Sequence, residues 1–138
     1  MPDRNSIKFP IALIGAVLGT IGVLAGAFGA HALDQILVEQ GTQTTWETAV
    51  LFHLLHAVAI SALGWTFGPT SWKSLTGLVA IAWIGGIVLF SGSLYVLAIG
   101  GPRFLGPVTP AGGLLLLVGW VLAIFHGMQE RRGNSHLY

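Results

Sequence analysis

Four stretches of this chain carry no Asp, Glu, Lys or Arg: Phe9–Leu33, Thr48–Trp72, Ser74–Pro102 and Phe104–Gln129. Each is long enough to cross the hydrocarbon core of a bilayer, which takes about 20 predominantly apolar residues at helical rise. A backbone N–H or C=O in hydrocarbon finds no water, so a spanning segment must satisfy those groups within itself. For a chain of 138 residues this leaves one architecture. We expect an all-α integral membrane bundle of four transmembrane helices in a single domain, with spans near 9–33, 48–68, 75–99 and 109–129.

Composition narrows the functions open to such a bundle. Charged residues make up 8% of the chain, against roughly a quarter in soluble domains, and four spans leave only short loops between them. A net charge of +1 supplies no basic patch for nucleic acid. Cysteine is absent, which removes thiolate metal sites, disulfide exchange and Cys nucleophiles. Ala30-His31-Ala32 resembles a signal cleavage site, but the preceding apolar run exceeds the 7–15 residues usual for a signal. The first span is therefore expected to stay in place.

Basic residues set the orientation. Arg4 and Lys8 precede the first span, Lys73 lies between the second and third, and Arg131 and Arg132 follow the fourth. The opposite side has Arg103 alone, beside Asp34, Glu39 and Glu47. Five charges against one predict a multi-pass inner-membrane protein with both termini in the cytoplasm.

Small residues form stripes. Gly15, Gly19, Gly22, Gly26 and Gly29 alternate four and three apart, which puts them on one narrow helix face. Such a face lets two membrane helices approach closely, either inside the bundle or across a homo-oligomer seam. Gly112, Gly119 and Ala123 repeat the device on the fourth span, with His126 on the same face. Ala49, Ala57 and Gly64 form a milder version on the second. Thr44 to Glu47 read as a capping box opening the second helix, Ser71 as a cap for the third, and Thr109-Pro110 as a cap and first-turn proline for the fourth. Asp34–Gln40 reads as a short amphipathic helix stopped by Gly41.

Polar side chains within a span are costly and are functional candidates by default. His31, His53, His56, Ser91, Ser93, Tyr95 and Thr109 are expected in the outer half of the bundle, with His126 isolated towards the inner side. His53 and His56, three apart, share a helix face. Two such histidines and a third from a neighbouring helix can chelate a metal. No carboxylate lies at matching depth to orient them. The favoured expectation is that each histidine bonds a backbone carbonyl, Ser91 or Tyr95 and fixes helix register. Ser91 or Ser93 could pair with a histidine as a nucleophile, but no glycine elbow or orienting acid accompanies them, so no catalytic site is expected.

The strings Gly26-Ala27-Phe28-Gly29-Ala30-His31-Ala32-Leu33, Trp46-Glu47-Thr48-Ala49-Val50, His56-Ala57, Ser91-Gly92-Ser93-Leu94-Tyr95 and Gly106-Pro107-Val108-Thr109-Pro110-Ala111-Gly112-Gly113 resemble those of a known family. They are similar to the YgdD/YwdK-type small bacterial membrane proteins and their eukaryotic relatives, a family of unknown function. The resemblance runs from about Thr20 to Ala123. It implies a four-helix inner-membrane protein without an assigned activity, with recurring polar positions at His31, His56, Ser91, Ser93, Tyr95 and Thr109. Relatives commonly carry Tyr-Gln where this chain has Phe52-His53, which leaves His31 and His56 as the candidate ligand pair, with His53 less favoured. The expected protein is thus a structural or accessory membrane subunit, partnered by lipid and by a second copy or a larger membrane complex. Haem or a divalent metal on the histidines, and a small transporter, are the alternatives.

Overall fold

The five glycines of the first span are spent inside the molecule. In the structure, a computed structural model that describes residues 8–134, helix α1 (Ile11–Ala30) runs antiparallel to helix α3 (Gln43–Phe67) along this stripe. A Cβ added to Gly15 would strike the Ser61 backbone, one on Gly22 would strike Leu54, and one on Gly29 would enter the Trp46 indole. From the other side, Gly64 admits the backbone of Ala12, while Ala49 and Ala57 are fully buried between them. Apolar side chains gain nothing by leaving lipid, so contact at backbone distance is what holds such helices together. Of the two readings of this stripe, packing inside the bundle is the one that the contacts with α3 show.

Helix α2 (Asp34–Gln40) is the short element expected there, and it ends on Gly41 in the left-handed conformation at φ 67°. Helix α4 (Leu75–Ala98) and helix α5 (Val108–Asn134) complete four spans long and apolar enough to cross a membrane. Gly112 lies against the backbone of Leu89 and Phe90, Gly119 against the Trp83 ring, and Leu116 fills the space over Gly86. Ile60, Val79, Trp83, Ile87 and Leu116 form the buried apolar core. Two short strands, β1 (Lys8–Phe9) and β2 (Thr70–Ser71), pair antiparallel and tie the entry of α1 to the α3–α4 connection. Lys8, Lys73 and Arg131 thus mark one end of the bundle, and α2 the other. Arg4, and the side chain of Arg132, lie outside the described residues.

Three expected helix ends are corrected. Helix α3 starts at Gln43, so Thr44 and Glu47 lie inside it and form no capping box. The cause is the two-residue corner after α2: Gly41 turns the chain, and the Thr42 hydroxyl reaches across to the Ala98 carbonyl at 2.6 Å instead of capping. Ser74, not Ser71, caps α4, accepting the Gly77 N–H at 3.0 Å, because Ser71 is held in β2. Thr109 falls within the first turn of α5 and spends its hydroxyl on Ser93. Pro110 remains in that turn, where a missing N–H costs nothing.

Helix α4 is also not a plain helix. Ile87–Ser91 forms a π-turn, closed by the Gly92 N–H bonding the Ile87 carbonyl five residues back. Such a turn inserts one residue into the helical repeat and re-aims the residues beyond it, so the Ser91–Tyr95 portion faces a different neighbour from the Trp83 portion.

The packing makes a direct test. Gly29→Ala should cost about 1–3 kcal/mol, as overpacking of a close contact does, in denaturant unfolding of the detergent-solubilised protein. Gly19, whose added Cβ would meet only Ala57 at 3.9 Å, should accept alanine within about 0.5 kcal/mol. Equal effects at both positions would contradict the seam.

Candidate functional site

Polar groups inside hydrocarbon must find partners in the protein, since an unpaired one costs several kcal/mol. Here most of those partners radiate from α3. Thr42 donates to the Ala98 carbonyl of α4 at 2.6 Å. Trp46 Nε1–H donates to the Ala25 carbonyl of α1 at 3.0 Å, which the close approach at Gly29 brings within reach. His53 Nδ1 bonds the Tyr95 hydroxyl of α4 at 3.2 Å, and the Tyr95 ring lies 4.7 Å from that of Trp46.

His56 is 2% exposed and bonded at both nitrogens. Nδ1 lies 2.8 Å from the Phe52 carbonyl, which can only accept, so Nδ1 carries the proton. Nε2 is then a bare lone pair, and it accepts Trp120 Nε1–H of α5 at 3.0 Å. The tautomer is defined by its two neighbours. Around the ring stand Phe52, Trp83 and Trp120 with centroids 6.0 to 6.2 Å away, and the two indoles sit 4.9 Å from each other.

Between α4 and α5, Ser93 donates to the Phe90 carbonyl at 2.9 Å within the π-turn region and shares a 2.7 Å bond with Thr109. Towards the other end, Thr76 and His126 bond at 2.6 Å, both at least nine-tenths buried. His126 is therefore not isolated, as expected from sequence, but the second α4–α5 tie.

The structure does not bring His31 and His56 together. His31 is exposed at the C-terminal end of α1, in the turn before α2. The neighbour of His56, Ala57, faces Gly19, which lies twelve residues back along α1, about 18 Å at helical rise. His53 and His56 share α3 but reach different helices, and the lone pair a metal would need on His56 is already taken by Trp120. Among the described residues no group of three or more His, Asp or Glu gathers as a metal site. Arg103 is exposed in the short turn Arg103–Leu105, and Glu47 is exposed on α3. Among the described residues three buried polar atoms have no partner: His53 Nε2, Ser91 Oγ and Trp83 Nε1.

Sequence reasoning passed over Trp120 and Thr76, and noted Trp46 only within a recurring string. A signal for Trp120 was available. An indole N–H near the middle of a span is a donor that needs an acceptor at its own depth, and the histidines of α3 are such acceptors.

A double-mutant cycle tests the tie that matters most. His56→Leu and Trp120→Phe should show a coupling of about 0.5–2 kcal/mol in unfolding, the range for interhelical bonds in membrane proteins. His31→Ala should leave stability unchanged. Strict additivity at 56 and 120 would remove the bond.

Comparison with known proteins agrees with this architecture. The family described as protein of unknown function (DUF423) matches residues 25–113. A UPF0382 membrane protein of Staphylococcus saprophyticus is 37% identical over 117 residues, covering 81% of this chain and 91% of the relative. The UPF0382 membrane protein YwdK of Bacillus subtilis is 32% identical over 114 residues, covering 81% and 90%. One from Schizosaccharomyces pombe is 33% identical over 114 residues, covering 78% and 92%. No solved structure matches the chain.

Proposed function

We propose that this chain, which belongs to the DUF423 family of membrane proteins, serves as a structural or accessory subunit rather than as a catalyst. It is a polytopic membrane protein. One observation carries the reading: side-chain hydrogen bonds from Thr42, Trp46, His53 and His56 tie α3 and its entry to α1, α4 and α5. A nucleophile or coupling carboxylate would need a reactive group held free at a water-accessible point. The acidic residues of the described chain instead lie outside the buried interior, at Asp34, Glu39, Glu47 and Glu130. A partner, whether a second copy or a larger membrane complex, would dock on lipid-facing side chains such as those of α5, since the α1 glycines face α3.

The reading places the protein in the cell membrane with both termini cytoplasmic. The support is the distribution of basic residues, with Lys8, Lys73 and Arg131 at one end and Arg103 at the other. Because the chain has no cysteine, single substitutions report topology cleanly. Gln35→Cys should react with an impermeant maleimide on intact cells and Lys73→Cys only after lysis. The reverse pattern would invert the orientation.

A second reading is favoured by a single atom. His53 Nε2 is buried without a partner, so a haem or divalent metal would have to start there, not from the His31–His56 pair. Purification from mild detergent separates the two readings. The structural reading expects a colourless, metal-free protein migrating in a defined assembly on a native gel. A Soret band or stoichiometric metal, lost in His53→Ala, would overturn it.

A further inference from the structure

The α1–α3 seam is sealed along most of its length but opens at the α2 end into a cleft of about 350 Å³, within the size range of small-ligand sites. The cause lies in the sequence. Gly26, Gly29 and Ala30 offer α1 no side chain to fill the angle between the helices, so Val50 and Leu54 form the far wall. Leu51, 61% exposed, leaves one flank open to lipid. At the mouth the character changes. Asp34, Gln43 and Glu47 line it, with Gln43 Nε2 donating to Asp34 Oδ1 at 3.3 Å.

The charge at this mouth has no counterpart in its own part of the chain, since no Lys or Arg occurs between Lys8 and Lys73. Two carboxylates above an apolar slot are complementary to a cation carrying an alkyl tail. They are not complementary to a phospholipid. A phosphate would face like charge with no basic residue in the cleft lining to receive it, and two acyl chains exceed the volume. A bare metal ion would leave the apolar part of the cleft, whose whole lining on α3 runs from Gln43 to Leu54 or about 16 Å at helical rise, without a role.

We propose that the cleft between α1 and α3 binds a single-chain amphiphile with a primary ammonium head, the head between Asp34 and Glu47 and the tail along Val50 and Leu54. This goes beyond the structural reading and stands independently of it. Trp46, which lines the cleft, reports on occupancy.

The test uses the full-length protein in phosphatidylcholine nanodiscs titrated with 11-bromoundecylamine, whose bromine quenches tryptophan at contact. Saturable quenching is expected, and 11-bromoundecanoate, equal in length but anionic, should give only the shallow linear loss caused by partitioning. Asp34→Asn combined with Glu47→Gln changes two exposed side chains and leaves the helix seam alone. It should raise the half-saturating amine concentration by about tenfold, the effect of losing a charge-assisted bond. Saturation by both amphiphiles alike, or an unchanged midpoint in the double variant, would overturn the proposal. So would displacement by added phosphatidylethanolamine at the same concentration as the amine, which would put a phospholipid in the cleft.

Discussion

Hydrocarbon offers a side chain no hydrogen bonds, and α3 with its entry carries four polar groups that bond across to other helices: Thr42, Trp46, His53 and His56. The rest of the bundle is arranged so that each meets a partner on another helix. Without a hydrophobic force to drive helices together in lipid, these bonds do what a soluble core does by excluding water. They also select one register. A helix that slid by a turn against α3 would trade a satisfied donor for a buried orphan, at a cost of about 1–3 kcal/mol for each group.

The small residues and the polar residues act together. Gly29 lets the Trp46 indole come close to α1, where its N–H bonds the Ala25 carbonyl. Gly119 gives Trp83 its place, Trp83 packs against Trp120 at a 58° tilt, and Trp120 supplies the proton that fills the His56 lone pair. Removing a glycine therefore displaces a hydrogen bond as well as a contact. The same thrift with side chains opens the cleft at the α2 end, where Gly26, Gly29 and Ala30 leave the angle between the helices only partly filled by Trp46 and Val50.

Much of the fold is legible in the amino-acid sequence. Charge-free runs give the spans, because a charge in hydrocarbon costs more than a short loop can avoid. Gly41 marks the end of α2, and the glycine spacing marks a packing face. What could not be read is which helix covers that face, since a small-residue stripe has the same form inside a bundle and between copies. The capping box failed at Thr44 for a local reason: the preceding helix ends so close that the backbone of α3 has already begun. The π-turn at Ile87–Ser91 carries no composition signal. It lies at the close crossing with Gly112, a tertiary contact. At the site, His31 was misplaced by treating the first helix as continuous to Leu33, whereas α1 ends at Ala30 and frees His31 to the surface. His56 bonds a backbone carbonyl, one of the partners expected for it, and its second partner is an indole on α5 in place of Ser91 or Tyr95.

The central claim, that buried histidine here is an interhelical tie with a fixed tautomer, is most directly tested by ¹⁵N solid-state NMR of the histidine-labelled protein in lipid bilayers. His56 should appear as a single neutral form, protonated at Nδ1, with Nε2 shifted as an acceptor and its signal moved in Trp120→Phe. A His56 protonated at Nε2, or one indifferent to Trp120, would contradict the account.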